Sequence, residues 1–206
     1  MLHLAVLLCS MLILPAAAQT PVRIAIIIDD LGNNLPLGRQ AVELPGALTY
    51  SVLPRLPYSR DIAERAHDDG KEVMLHLPME THEGHSLGPG GLYGALSRDA
   101  FARAVRVNLA AVPHVTGVNN HMGSLLTRDS GAMRWLMQDL RCFHDLYFVD
   151  SRTDAGTVAR ESAREAGLPN AQRDVFLDNQ QDPDYVRSQL MRLVAKARRE
   201  GTAIGI

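Results

Sequence analysis

The sequence predicts an α/β fold with a mainly parallel β-sheet, and three observations lead to this prediction. Short apolar runs without polar alternation, such as residues 24–28, are typical of strands buried on both faces. These runs alternate along the chain with longer amphipathic segments, as they do in β/α units. The 206-residue chain, less a distinct segment at its start, has the length of one domain with its own core.

The distinct segment is formed by residues 1–18. Residues 4–14 are almost wholly apolar, Pro15 interrupts them, and small residues precede a cleavage site between Ala18 and Gln19. This pattern predicts a secretory signal peptide, followed by one domain at residues 19–206. Because no Lys or Arg precedes the apolar run, an uncleaved N-terminal anchor stays open as an alternative. After cleavage, we expect a periplasmic protein that is not an integral membrane protein.

The net charge and the cysteine content argue against nucleic-acid binding and against an internal disulfide. The formal net charge is −2, and the predicted signal peptide contributes no charged side chain to it. No basic surplus is therefore available to attract nucleic acid or an anionic surface. Removal of Cys9 with the signal leaves Cys142 alone, so we expect the core, not a disulfide, to stabilise the domain.

The predicted elements alternate regularly after the signal. Strands are predicted at residues 24–28, 47–53, 72–77, 115–118, 146–149, 174–177 and 202–206. Helices are predicted at residues 59–69, 97–111, 130–143, 157–166 and 183–200. Pro54 ends the second strand, and Gly70 and Gly167 stop two helices. Since the last strand is barely begun at Ile206, we expect a further strand and helix to follow it.

Two aspartates, Asp29 and Asp30, come directly after the first apolar run. Parallel sheets carry their chemistry at the carboxyl ends of the strands, so this pair is a candidate cation site. Capping of the next helix by one aspartate is the simpler interpretation. Consecutive residues of an extended strand point to opposite faces, which predicts different roles for the two carboxylates.

Histidines stand at two other predicted strand ends, at His76 and His121. A carboxylate and two imidazoles suit zinc or a similar divalent cation and leave an open position for water. The chain has no compact H-E-x-x-H motif, so distant strands must assemble such a site. A structural role is expected for the remaining histidines, which are His67, His82, His85, His114 and His144. Aspartates also follow two later strands, at Asp150 and Asp178.

Five segments resemble, in order and spacing, the divergent polysaccharide deacetylase family of bacterial envelope proteins. They read IIIDDLG at residues 26–32, LHLPME at 75–80, GVNNHMGS at 117–124, FVDSRT at 148–153 and VFLDN at 175–179. The resemblance covers nearly all of the chain after the signal. It implies a distorted β/α barrel of about seven mainly parallel strands. It also implies metal-dependent removal of N-acetyl or O-acetyl groups from sugars.

The resemblance also implies roles for individual residues. Asp29 corresponds to the catalytic base, and Asp30, His76 and His121 correspond to the ligands of a divalent metal, with zinc expected. Glu80 stands where ordinary deacetylases have the second histidine of a motif, and we expect it to act as a ligand or as a proton donor.

Candidate substrate contacts are Asn119, Asn120, Arg152 and Arg173, although the asparagines suit capping or turn roles equally well. Tyr58 and Tyr93 are the loop aromatics expected to be available for sugar stacking.

Two functions follow from these residues. The first is a metal-dependent hydrolase that removes acetyl groups from an envelope polysaccharide or another carbohydrate, and the pairing of Asp29 with Asp30 favours it. The alternative is a catalytically silent module of the same fold that binds glycan or a protein partner of the cell-wall machinery. No arginine-proline-glycine motif of the family's third type is visible in the chain, which favours the alternative.

Overall fold

The computed structural model describes residues 21–143 and 145–206. The predicted signal peptide at residues 1–18 and the histidine at position 144 lie outside the described residues. Within the described ranges, no helix combines the length and the apolar character that crossing a membrane requires.

Strands and helices alternate through this part of the chain. The strands are β1 (Arg23–Leu31), β2 (Thr49–Val52), β3 (Glu72–Met79), β4 (Val115–Met122), β5 (Tyr147–Asp150), β6 (Asn170–Gln172) and β7 (Thr202–Gly205). The helices are α1 (Leu35–Val42), α2 (Ser59–Asp68), α3 (Arg98–Ala111), α4 (Ser130–Arg141), α5 (Ala159–Glu165) and α6 (Pro183–Glu200). A short 3₁₀-helix spans Leu126–Arg128.

The sheet is parallel throughout and nearly closes into a barrel. Its strand order is β6-β5-β4-β3-β2-β1-β7. The chain that follows β6 crosses to the other edge of the sheet, where Val175 forms a bridge with Gly205. There the backbone N–H of Leu177 donates to the carbonyl oxygen of Ile206 at 2.7 Å. The predicted barrel of about seven mainly parallel strands is therefore confirmed.

The sixth strand lies a few residues earlier than predicted. Residues 174–177 were expected to form it, but β6 ends at Gln172 and pairs with β5. Residues 174–177 instead bond to β7, where the carboxylate of Asp174 also accepts the N–H of Ile204. Their apolar character has a different cause, because Val175 and Leu177 pack with α6 in a small core cluster.

Helix α1 was not predicted, although its start carries two local signals. Asn34 caps the helix, and its side-chain oxygen accepts the N–H of Leu37 at 3.0 Å. Pro36 then stands in the first turn, where its missing N–H costs nothing.

The barrel interior is filled by a compact apolar layer. Ile27, Met74, Val149 and Ile206 form this layer. Side chains two residues apart on a strand point the same way, so the next residues along these strands form a second layer. That layer contains Asp29, His76 and Ser151, and it faces the carboxyl ends of the strands. The apolar layer thus supports a polar one at the mouth of the barrel.

Candidate metal centre

Three side chains from three strands converge at the mouth of the barrel. The Oδ1 atom of Asp30 lies 2.8 Å from Nδ1 of His121 and 3.2 Å from Nε2 of His76. The two imidazole nitrogens lie 3.1 Å apart. Asp30, His76 and His121 each offer one ligand atom, and these atoms lie within 4.8 Å of one another.

The backbone of Asp30 brings both aspartates to the same site. Its φ of 58° is left-handed, and the pairing register of β1 with β2 shifts between Ile28 and Leu31. Because the strand is irregular there, Asp29 and Asp30 do not point to opposite faces, as the sequence had suggested. Oδ2 of Asp29 lies 3.7 Å from the same Nε2 atom of His76. A left-handed residue other than glycine costs of order 1–3 kcal/mol, and such strain is typical of functional sites.

His76 is held from behind by Asn119. Nδ1 of His76 lies 2.8 Å from Oδ1 of Asn119, which also accepts the hydroxyl of Ser51 at 2.6 Å. A neutral His76 that donates through Nδ1 carries its lone pair on Nε2, which faces Asp30 and His121. This arrangement matches metal-binding histidines, whose second ring nitrogen donates to a neighbouring oxygen that fixes the ring orientation.

The charges in this cluster favour a cation between them. Hydrogen bonds from His121 and His76 hold the pKa of the Asp30 carboxyl well below its usual range. Burial alone would lower the pKa of His76, but the hydrogen bond to Asp30 and the charges of Asp29 and Asp30 outweigh it and raise that pKa. A proton or a metal ion can supply the positive charge that the carboxylates attract.

Asp29 is in a different electrostatic environment. Burial raises the pKa of its carboxyl group, and the neighbouring charges of Asp30 and Asp178 raise it further against the opposing effect of His76. Its side chain is 29 % exposed, compared with 63 % for Asp30. A carboxylate with a raised pKa is better suited to accept a proton near neutral pH.

The donor set fits a divalent cation. One carboxylate oxygen and two imidazole nitrogens are the ligands of catalytic zinc sites, which keep a further position open. In a tetrahedral site with metal–ligand distances of about 2.0–2.1 Å, neighbouring ligand atoms lie about 3.4 Å apart. The three atoms at 2.8–3.2 Å would need to separate by only a few tenths of an ångström.

The cluster lies in a pocket of about 220 Å³. Its remaining lining comes from the ends of β4 and β5 and from the residues that follow β6 and β7: Asn120, Met122, Ser151, Thr153, Arg173, Phe176, Asp178 and Ile206. Asn120 joins two of these segments, because its Oδ1 accepts the N–H of Ser151 and its Nδ2 donates to the carbonyl of Met122.

Arg173 forms one wall of the pocket. Its Nε donates to the carbonyl of Ser151 at 2.6 Å, and its guanidinium carbon lies 4.6 Å from the ring centroid of Phe176. Phe176 is 39 % exposed and lines the pocket, whereas Tyr58 and Tyr93 do not. Sequence reasoning did not single out Phe176, although it lies in one of the quoted segments, two residues before Asp178.

Three predicted site residues are placed elsewhere. Oε2 of Glu80 accepts the backbone N–H of Gly94 at 2.8 Å, and Glu80 neither joins the ligand cluster nor lines the pocket. Asn119 is fully buried behind His76, so it offers no surface to a bound molecule. Arg152 lines a second pocket beside the first.

Comparison with known proteins identifies the family. A sequence model described as divergent polysaccharide deacetylase matches residues 26–206. The chain belongs to this family. The resemblance inferred from the five sequence segments is thereby confirmed.

Two curated proteins, both described as uncharacterized, are similar to this member of the family. The chain is 37% identical over 193 residues to the uncharacterized protein YibQ of Escherichia coli (strain K12), matching 92% of this chain and 60% of that protein. It is 33% identical over 184 residues to an uncharacterized protein of Haemophilus influenzae, matching 89% and 65%. The chain thus spans less than two thirds of the length of either relative.

The fold of this family member is also found in a solved structure. The crystal structure of the uncharacterized protein ATU2773 from Agrobacterium tumefaciens C58 superposes with a TM-score of 0.85 at 25% sequence identity. The match covers 93% of this chain and 78% of that one.

Proposed function

We propose that the protein is a metal-dependent hydrolase that removes acetyl groups from an envelope polysaccharide or another carbohydrate. One observation carries the proposal, the position of the Asp29 carboxylate beside the cluster of Asp30, His76 and His121. A module that only binds glycan has no use for a basic carboxylate next to a ligand set.

The proposed roles of these residues differ, because three of them bind the metal ion and Asp29 accepts a proton. Asp30, His76 and His121 hold a divalent cation, and zinc best suits one carboxylate and two imidazoles. When bound, that cation supplies Lewis-acid polarisation of an acyl carbonyl and lowers the pKa of water. Asp29 accepts the proton of the attacking water, a role that suits a carboxylate beside the cluster whose pKa is raised by burial.

A residue in the wall of the same pocket carries a buried polar group without a partner. Oγ of Ser151 has no hydrogen-bond partner among the described residues, and the residue is only 5% exposed. An unsatisfied buried hydroxyl costs stability unless another molecule completes its bonding. Because Oγ of Ser151 has almost no accessible surface, a group of a bound sugar can reach this hydroxyl only if the loop after β5 moves aside.

Two neighbouring features suit a carbohydrate ring. Phe176 lines the pocket, and the guanidinium group of Arg173 packs on one face of the Phe176 ring and fixes its orientation. On the other side of the cluster, a cleft of about 360 Å³ runs from Asp30 and His121 over apolar side chains that include Leu53, Pro54, Leu56 and Leu87. Sugars present both hydroxyl groups and apolar C–H faces, and these two surfaces suit the C–H faces.

A periplasmic location is part of the proposal. It rests on the apolar residues 4–14 and the small residues before Gln19, which are typical of a secretory signal. Polysaccharides of the cell envelope are accessible from that compartment, which makes them the expected substrate class.

Metal analysis combined with an acetate-release assay tests the function. The purified protein is expected to contain about one equivalent of divalent metal and to release acetate from acetylated glycans. Treatment with a chelator should abolish acetate release, and added zinc should restore it. Wild-type protein that holds metal but releases no acetate from any acetylated glycan would favour the glycan-binding alternative.

A further inference from the structure

A second polar pocket lies on the other side of the loop that follows β5. Its volume is about 450 Å³. We name it the arginine pocket, and it is lined by Arg152, Arg160 and Arg164 together with Asp150, Ala155, Thr157, Glu161 and Gln172.

The loop forms a wall shared by the two pockets. Asp150 and Arg152 line the arginine pocket, whereas Ser151 and Thr153 line the pocket with the candidate metal centre. A molecule bound at the metal centre therefore needs to extend past only one chain segment to reach the arginines.

The arginine pocket carries a surplus of positive charge. Glu161 pairs with Arg164, and both side chains are largely exposed. The carboxylate of Asp150 is buried, where it accepts the hydroxyl of Thr157 at 2.9 Å and the backbone N–H of Arg152 at 2.8 Å. Arg152 and Arg160 make no ion pair within residues 21–143 and 145–206, so their guanidinium groups remain available to a ligand.

Arg152 is held in an unusual backbone conformation. Its φ of 48° is left-handed, and its carbonyl oxygen accepts Nη2 of Arg173 at 2.8 Å. The same Arg173 side chain bonds to the carbonyl of Ser151 in the shared wall. The backbone that presents the Arg152 side chain is therefore fixed by the residues that shape the first pocket.

We propose that the arginine pocket binds an anionic group, a carboxylate or a phosphate, on the same glycan whose acetyl group enters the first pocket. Guanidinium groups bind both anions through paired, charge-assisted hydrogen bonds. The proposal rests on the proposed function, because it makes an acidic acetylated polysaccharide the substrate class.

Direct binding measurements test the arginine pocket without relying on catalysis. The Asp29→Asn protein is titrated by calorimetry with an oligogalacturonate, with inorganic phosphate and with a neutral chito-oligosaccharide. We expect the protein to bind at least one of the two anions, and added salt to weaken that binding.

Variants then locate the binding. Arg152→Gln and Arg160→Gln should each weaken anion binding by roughly 10-fold or more, since each removes charge-assisted hydrogen bonds to the anion. Arg134→Gln is the matched control, because this exposed arginine of α4 lines neither pocket. Binding of the neutral oligosaccharide should not change in any of the three.

Each outcome decides one point. Preference for oligogalacturonate assigns the pocket to a carboxylate, and preference for phosphate assigns it to a phosphate. Anion binding that is unchanged in Arg152→Gln and Arg160→Gln, or no binding of either anion, overturns the proposal. Arginine-dependent anion binding without acetate release from any glycan would leave the anion site standing and reject the deacetylase.

Discussion

His76 and Asn119 occupy paired positions on β3 and β4, and Nδ1 of the histidine lies 2.8 Å from Oδ1 of the asparagine. The contact is buried, and it leaves Nε2 of His76 facing Asp30. Asn119 therefore contacts the candidate metal centre through His76, and this position can be tested by substitution.

Replacing Asn119 with alanine should weaken metal binding roughly 10–100-fold, the usual effect of losing a partner that orients a metal ligand. Competition with a chelator of known affinity measures the change. Ser51→Ala is the matched control, because it removes the other hydrogen bond to Oδ1 of Asn119 and leaves the contact with His76. The control should lose about 1 kcal/mol of unfolding free energy and keep its metal. Equal metal loss in both variants would contradict the orienting role.

Replacing Asp29 and Asp30 individually with asparagine should have different effects. Asp29→Asn should keep its metal while acetate release falls roughly 10²–10⁴-fold, the usual contribution of general acid–base catalysis. Asp30→Asn should lose metal, because Oδ1 of Asp30 is the atom that faces both histidines. Elemental analysis and initial rates measure the two effects. Loss of metal in Asp29→Asn would show that Asp29 is itself a ligand.

The position of Glu80 predicts a mild effect for Glu80→Gln. Glutamine keeps an oxygen that can accept the N–H of Gly94, so metal content and acetate release should stay within about twofold of the wild type. Glu80→Ala removes the acceptor and should cost about 1 kcal/mol of unfolding free energy. If Glu80→Gln loses metal, Glu80 is a ligand in solution, and if it loses only turnover, Glu80 is the proton donor.

Gly117 leaves room for the ring of Tyr147 on the next strand. A Cβ atom at position 117 would lie 2.5–2.8 Å from three ring atoms of Tyr147. Gly117→Ala should therefore lower the free energy of unfolding by about 1–3 kcal/mol, as overpacking does, and urea denaturation measures the change. The double variant Gly117→Ala/Tyr147→Ala should lose less than the sum of the two single variants. Additive losses would show that the contact is not the cause.

Tyr147 also predicts how stability depends on alkaline pH. Burial raises the pKa of its hydroxyl, and the charge of Glu72 raises it further. The folded protein thus holds this proton above the unfolded pKa of roughly 10. The contribution is fully present below pH 10 and is lost as the pH rises toward the folded pKa. Urea denaturation between pH 8 and 12 should show a steeper decline for the wild type than for Tyr147→Phe, and equal slopes would refute the assignment.

The positions of the polar layer were predictable from the sequence alone. Apolar runs such as residues 24–28 are typical of strands buried on both faces in a sheet covered by helices. The residues that follow such strands lie at the mouth of the barrel. The sequence alone therefore predicted the family, the alternation of strands and helices except for α1 and the position of β6, and the strand ends that carry Asp29, His76 and His121. It also predicted that any metal centre must be assembled from separate strands.

Only the tertiary structure decided where these side chains point. The left-handed backbone at Asp30 turns its carboxylate toward His121, and local sequence does not require that conformation. Asn119 reaches His76 through strand pairing, and Glu80 is turned to Gly94 by the loop that follows β3. Residues 174–177 look like a strand of their own, yet they bond to β7. In each case, the deciding contact joins residues 14 or more positions apart, so no pattern within a short window records it.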